Sequence, residues 1–228
     1  MFRYVFLATI SLLAMATSLQ AQPASPPTTS PPAVETPNGP LAMEDPQTGD
    51  HWTYEVRDDI TGDVKSTTTY TVTEASSTDI SIRFSILGNA NFGLQIFDHS
   101  WNLTNNGIWR YSPSDGTGIR TPLAADKSWT IKGTDFNTTT GFGWKRTGTS
   151  KVIARESITT RAGTFDTFKI ETSLQFQAMN DPTKKYTGVL QTWYAPAIDH
   201  WVKRTYVSRF DGHVREKNTN ELVEYGRR

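Results

Sequence analysis

The stretch SITTRAGTFDTFKIETSLQF, Ser157 to Phe176, decides how the rest of the chain is read. It opens on a tight turn, Arg161-Ala162-Gly163-Thr164, where Gly163 can take the positive φ that a side chain would strain. It then runs into strict alternation. Phe168, Ile170, Leu174 and Phe176 fall on one face, and Lys169, Glu171, Gln175 and Gln177 fall on the other, the period of a half-buried strand. The stretch is a hairpin corner followed by a strand, and geometry accounts for it without any chemistry.

The same grammar extends in both directions. Upstream, HWTYEVRD (51–58) puts Trp52, Tyr54 and Val56 on one face, and DITGD turns the chain into the Thr- and Val-rich VKSTTTYTVTEA (64–75). ISIRFSIL (80–87) aligns Ile80, Ile82, Phe84 and Ile86. Asn105-Asn106-Gly107 sits between HSWNL and IWRYS as a hairpin signal. KRTGTSKVIARESIT (145–159) reads as one long strand, and KKYTGVLQTWYA, HWVKRTYVSRF and VREKNTNELVEY follow our opening stretch. There is no internal repeat and no convincing helical period; PLAADKSW (122–129) offers one short turn of helix. The expected fold is all-β with at most one or two short helices. It is an antiparallel meander that curls into a strongly curved sheet or half-open β-barrel, since each strand has one oily face to bury.

The N-terminus reads as an export signal over residues 1–21, with Arg3 ahead of the apolar run Tyr4 to Ala16, too short to span a bilayer comfortably. Cleavage sites are offered after Ala16 and after Ala21, the second leaving more room for the apolar run. Residues 22–47, rich in Pro, Ser and Thr, read as a disordered linker, and 48–228 as a single β domain. No integral membrane span is expected once the signal is cut, and the expected location is the periplasm of a Gram-negative bacterium or outside the cell. Cysteine is absent from the 228 residues, which removes disulfides, thiolate metal sites, cysteine nucleophiles and a lipid-modified cysteine together. Charge is balanced, 23 Lys and Arg against 23 Asp and Glu, which gives no electrostatic case for nucleic acid.

Several fragments resemble a group of exported, uncharacterised bacterial β-proteins, a domain of unknown function: GDHWTYEVRDDITGD, RAGTFDTFKIE, TWYAP, WVKR and ELVEY. The resemblance runs with gaps from Gly49 to Tyr225 and lies in corners and strand ends. It departs at TRAGTF, where Pro or Val often precedes the Ala, and at APAIDHWVK, where Gly is common before Val-Lys. It implies a curved, half-open barrel similar to those of periplasmic lipoprotein carriers, and it brings no catalytic residue or cofactor, because the group has no established activity.

Motifs with a mechanism are missing: no Gly-x-Ser-x-Gly, Ser-x-x-Lys, phosphate-binding Gly-x-x-x-x-Gly-Lys or His-Glu-x-x-His. No metal site, cofactor or catalytic residue is expected, and no enzymatic activity. Three histidines have an aspartate close by: Asp98-His99, Asp199-His200 and Asp211-x-His213. Neighbours on a strand face opposite ways, however, so a dipeptide does not join the two side chains. Aromatic residues speak more clearly. The candidate ligand-binding residues are Trp109, Tyr111, Trp193, Tyr194, Trp201 and Lys203, with Lys203 expected to share a face with Trp201 two residues earlier. Core filling is the commoner use of such rings, and a binding face is the other. Three functions follow in order. The first is a non-enzymatic envelope protein that binds or carries an apolar component, a lipid or glycan, or scaffolds another envelope protein. The second is a carbohydrate-binding module with aromatic platforms. The third is a hydrolase of an envelope polymer using an Asp/His pair.

Overall fold

The computed structural model describes Met43 and Asp45–Arg227. The signal and most of the linker lie outside the described residues. Among those described, twelve strands follow one another in sequence: β1 His51–Asp58, β2 Val64–Ala75, β3 Asp79–Ile86, β4 Phe92–Asp98, β5 Leu103–Asn106 and β6 Trp109–Ser112, then β7 Ser128–Asn137, β8 Gly143–Thr160, β9 Gly163–Ala178, β10 Lys185–Ala195, β11 His200–Phe210 and β12 His213–Gly226. Every strand pairs antiparallel with its neighbours in sequence, and β1 also pairs β12, with Trp52 opposite Tyr225 and Val56 opposite Asn220. The sheet therefore closes completely where the sequence suggested a half-open barrel. Closure removes the two unpaired edges that an open sheet of this length would expose.

The corner at 161–162 forms as read. Thr160 pairs Gly163, and Gly163 takes φ 136°, beyond the reach of an L side chain without strain. Asn106 pairs Trp109 across Gly107, which sits at φ 63°. The expected helical turn at 122–129 is instead a bend at 121–122 and one non-helical turn at 125–126 before β7. Among the described residues, the helical element is a single 3-10 turn, Pro196–Ile198. Lys127 ties the 122–129 segment down by donating to the carbonyls of Arg120 and Pro122 at 2.6 and 2.7 Å.

Alternation puts Ile170, Leu174 and Phe176 inside the barrel, with Trp129, Ile131 and Val152 against them. A second apolar group, with Trp52, Trp101, Val72, Ile80 and Leu222, fills another part of the interior. Met43 joins it at 1% exposure, its N–H donating to the Ala197 carbonyl, so the packed body reaches back into the Pro-rich segment.

β8 and β9 outrun their neighbours. A bulge between Val152 and Ala154 shifts the register, and beyond it the hairpin folds back across the outer face of the sheet. There Arg161 meets Glu55 at 2.5 Å and Glu156 accepts from Trp193 Nε1 at 2.6 Å. Both partners stand on the side of their strands opposite the inward-facing Tyr54 and Tyr194. The Phe of Ala-Gly-Thr-Phe, Phe165, is 2% exposed and packs on Tyr225.

Candidate functional site

Two cavities open inside the barrel, and both are walled by one inserted segment. Residues 113–127, between β6 and β7, turn inward. Asp115 accepts hydrogen bonds from the Leu103 and Thr117 N–H groups and the Thr117 hydroxyl at 2.9, 3.1 and 2.6 Å. Gly118 N donates to Asn102 Oδ1 at 2.8 Å and Ile119 N to the Ser100 carbonyl at 2.6 Å. Asp115 and Thr117 line both cavities.

The first cavity, of ≈ 380 Å³, is an aromatic chamber. Trp109, Tyr111, Trp144, Phe176, Tyr186 and Tyr206 line it. Phe176 and Tyr186 stack at 4.2 Å, and Trp144 meets Tyr186 edge-on at 4.9 Å. Through it runs an ion pair: Arg146 on β8 donates to Asp135 on β7 and, at 2.5 Å, to the Asp115 carbonyl. The guanidinium lies over the Tyr111 and Phe176 rings at 5.4 and 5.1 Å. Asp135 and Arg146 are 5% and 7% exposed, yet Asp135 Oδ1 and Arg146 Nε have no partner. Burial pushes the Asp135 carboxyl upward against the pull of Arg146. Burial likewise raises Tyr186, Tyr111 and Tyr206, the last to about 12, so these phenols keep their protons and remain donors.

The second cavity, ≈ 140 Å³, is bounded by Tyr54, Tyr70, Gln95, Trp201, Arg204 and Asn220. Arg204 lies 3.5 Å over the Trp201 ring and donates to the Thr117 carbonyl at 3.3 Å. Its side chain is half-buried and borders the cavity's own space, with only Nε fully enclosed. Burial lowers its pKa to about 10, with the Asp115 charge opposing the fall.

The candidate residues divide between these places. Trp109 and Tyr111 come together in the first cavity and Trp201 borders the second. Tyr194 is buried and donates to Asp199 at 2.5 Å. Trp193 faces outward but is 7% exposed, because the β8–β9 hairpin covers it; Lys169 and Lys203 approach its ring at 4.7 and 5.4 Å. The aromatic pair of TWYAP thus points two ways, as alternation requires, with a cover on each side. Lys203 does not share a face with Trp201. Trp193 pairs Lys203 while Tyr194 pairs Trp201, so the bulge at Val202 turns the two apart.

The polar heart of both cavities, Asp135, Arg146 and Arg204, escaped the sequence reading. Its one visible signal was an arginine on the apolar face of a strand: Arg146 shares alternation with Trp144, and Arg204 with Tyr206. The three Asp/His pairs are engaged separately. Asp98 accepts from Ser100 and Asn102, and His99 Nε2 lies 2.8 Å from the Ser76 carbonyl. Asp199 holds Tyr194 and Trp101, while His200 stacks on Trp52 and lies 2.7 Å from the Tyr54 hydroxyl. Asp211 lies in the β11–β12 turn, and His213 opens β12 opposite Phe210. Among the described residues no aspartate of these pairs bonds to its histidine.

None of the curated proteins matches the chain. Among solved structures, a protein described as a lipoprotein of Parabacteroides distasonis aligns with a TM-score of 0.52 and 16% identity, covering 82% of this chain and 99% of its own, which supports a shared fold. An exported protein with a YmcC-like fold from Bacteroides fragilis aligns at 0.49 and 12%, covering 82% and 100%. The hypothetical lipoprotein YmcC of Escherichia coli aligns at 0.47 and 7%, covering 78% and 85%. The fold shared with the first of these agrees with the resemblance to uncharacterised exported β-proteins read from the corners and strand ends. Residues 129–205, from Trp129 in β7 to Thr205 in β11, match the family model described as DUF3108-like, and this run contains both the long β8–β9 hairpin and the buried Arg146.

Proposed function

We propose that this is an exported, non-catalytic binding protein of the cell envelope that takes up a small amphipathic envelope component, a sugar ring or a glycolipid head group, in the first cavity. The observation that carries this reading is the aromatic chamber built around two buried polar atoms without partners, Asp135 Oδ1 and Arg146 Nε. Ring faces suit the apolar side of a sugar or a lipid glycerol region, and the free acceptor and donor suit its hydroxyls. An orphaned buried polar atom costs about 1–3 kcal/mol, which a ligand hydroxyl would recover. The size favours one ring. Binding sites of drug-sized ligands run to roughly 300–1,000 Å³, and ≈ 380 Å³ lies near the small end, too little for a whole two-chain lipid. Flat aromatic platforms for long glycans are disfavoured, because Trp193 is covered by the hairpin.

Native mass spectrometry of the protein taken from a periplasmic extract, set against its denatured mass, tests this directly. A discrete excess mass that vanishes on denaturation is expected, and its fragmentation gives the ligand class. Tyr186→Ala, which removes a ring from the chamber, should weaken retention of that ligand about tenfold, equivalent to 1.4 kcal/mol. A bare chain from the extract, with no retention of added envelope glycans or glycolipids, would sink the proposal.

A further inference from the structure

The interior holds two arginines, and the barrel treats them differently. Arg146 has a carboxylate, Asp135, and the Asp115 carbonyl. Arg204 has no carboxylate within 4.0 Å among the described residues. It donates one hydrogen bond there, a long one to Thr117, and its buried Nε has no partner. Its neighbour Asp115 adds a favourable field, but that carboxylate is already committed to Leu103 and Thr117. A guanidinium drawn partly out of water without a paired carboxylate carries a desolvation cost, which a bound anion would offset.

We propose that the second cavity is a binding site for an oxyanion, the carboxylate of a small organic acid or the phosphate of a phosphate ester, anchored by Arg204. Trp201 lies against the flat face of the guanidinium, so the donors along its edge stay free for the planar hydrogen bonding that carboxylates and phosphates offer. Asn220 Oδ1, buried on the same cavity wall, also lacks a partner. An oxyanion carrying a hydroxyl or an acidic proton supplies the acceptors that Arg204 requires and the donor that Asn220 requires. The space of ≈ 140 Å³ holds such a group with a water molecule but not a further ring. Apart from the shared wall at Asp115 and Thr117, the site uses none of the residues of the aromatic chamber, so it goes beyond the function proposed above and stands or falls separately.

The test is a titration of the exported protein with sodium acetate and with sodium phosphate, ionic strength held constant with sodium chloride. The readouts are the thermal midpoint and tryptophan fluorescence, Trp201 lying beneath the guanidinium. A saturable rise in midpoint with a fluorescence change is expected. A response to acetate alone assigns a carboxylate ligand and to phosphate alone a phosphate ester; a response to both assigns their common oxyanion geometry. Arg204→Met should abolish the response without lowering the midpoint, because it removes a partly desolvated charge that has no paired carboxylate. Arg204→Lys, which keeps the charge but loses the planar fork, should weaken binding about tenfold and serves if the Met variant fails to fold. Tyr186→Ala should leave the response unchanged, separating this site from the aromatic chamber. No saturable response in the unaltered protein overturns the proposal, and so does full affinity in either Arg204 variant.

Discussion

Asp199 shows how much a single side chain can report about this interior. It sits at φ 43° just after the 3-10 turn, accepts from Tyr194 and Trp101, and has its pKa raised to about 6, chiefly by burial. Below 3.8, the ordinary value, the group is protonated both folded and unfolded. Between 3.8 and about 6 the folded protein holds a proton that the unfolded chain gives up, so folding takes up protons in that window. Its contribution to stability is therefore full at low pH and is lost as pH rises through about 6. Asn tolerates the left-handed backbone and cannot ionise, so Asp199→Asn should flatten the stability profile between pH 4 and 6. Urea unfolding of both proteins across that range checks it, and an unchanged slope would assign the titration elsewhere. His200, beside it, is pushed the other way by burial and by Arg204 and remains neutral, which suits a ring stacked on Trp52 with Trp201 tilted against it.

Among the elements, two irregular pieces do more for the candidate sites than the regular strands. The inserted segment 113–127 divides the interior into two cavities, and it can approach Ser100 and Asn102 so closely because residue 118 is glycine. A Cβ there would stand 2.2 Å from the Ser100 carbonyl oxygen and 2.6 Å from Asn102 N, both backbone atoms that cannot swing aside. Gly118→Ala should cost about 1–3 kcal/mol, the usual range for overpacking, and should weaken ligand retention in the chamber by moving Asp115 and Thr117. Urea denaturation with native mass spectrometry reads both effects; a variant equal to the parent in each would show that the segment is not wedged. The β8–β9 hairpin is the other piece. It turns Trp193 from an exposed platform into a covered ring, and the bulge at Val152 and Ala154 aims it there.

At the scale of the molecule, closure is the governing event. The β1–β12 seam joins the ends of the barrel, and beside it Arg227 clasps Asp50 with two bonds of 3.0 Å, Asp50 being 0% exposed. Asp50→Ala removes the acceptor that both Arg227 bonds and the Gln47 N–H use, while Arg227, 29% exposed, turns to water, so the protein should lose about 1–2 kcal/mol of stability. Chemical denaturation measures it, and a loss below about half a kcal/mol, the level of an ordinary surface change, would mean that the clasp contributes little to closing the seam. Pairing residues so distant in sequence also places the fold among the slower ones, because loop entropy is spent before the seam repays it.

Strands and corners were legible in the sequence because they are local. Alternation in FDTFKIETSLQF assigns each side chain to a face, Gly163 and Gly107 announce the positive φ their turns adopt, and the Trp193-Tyr194 pair must split across the sheet. The candidate site was half legible: Trp109 and Tyr111 were named and do meet in one chamber. Three features lay beyond local pattern. Whether the meander closes depends on the sum of twist and register over twelve strands, which no single strand encodes. Bulges at Val202 and at Val152 and Ala154 reverse the face of every residue after them, so the expected partnership of Trp201 with Lys203 dissolved. The pairing of Arg146 with Asp135 depends on the register of the β7–β8 hairpin, and the solitude of Arg204 exists only once strands far apart in sequence enclose the same space. Local sterics chose the strands, and the tertiary structure chose which of their charges would be left inside without a partner.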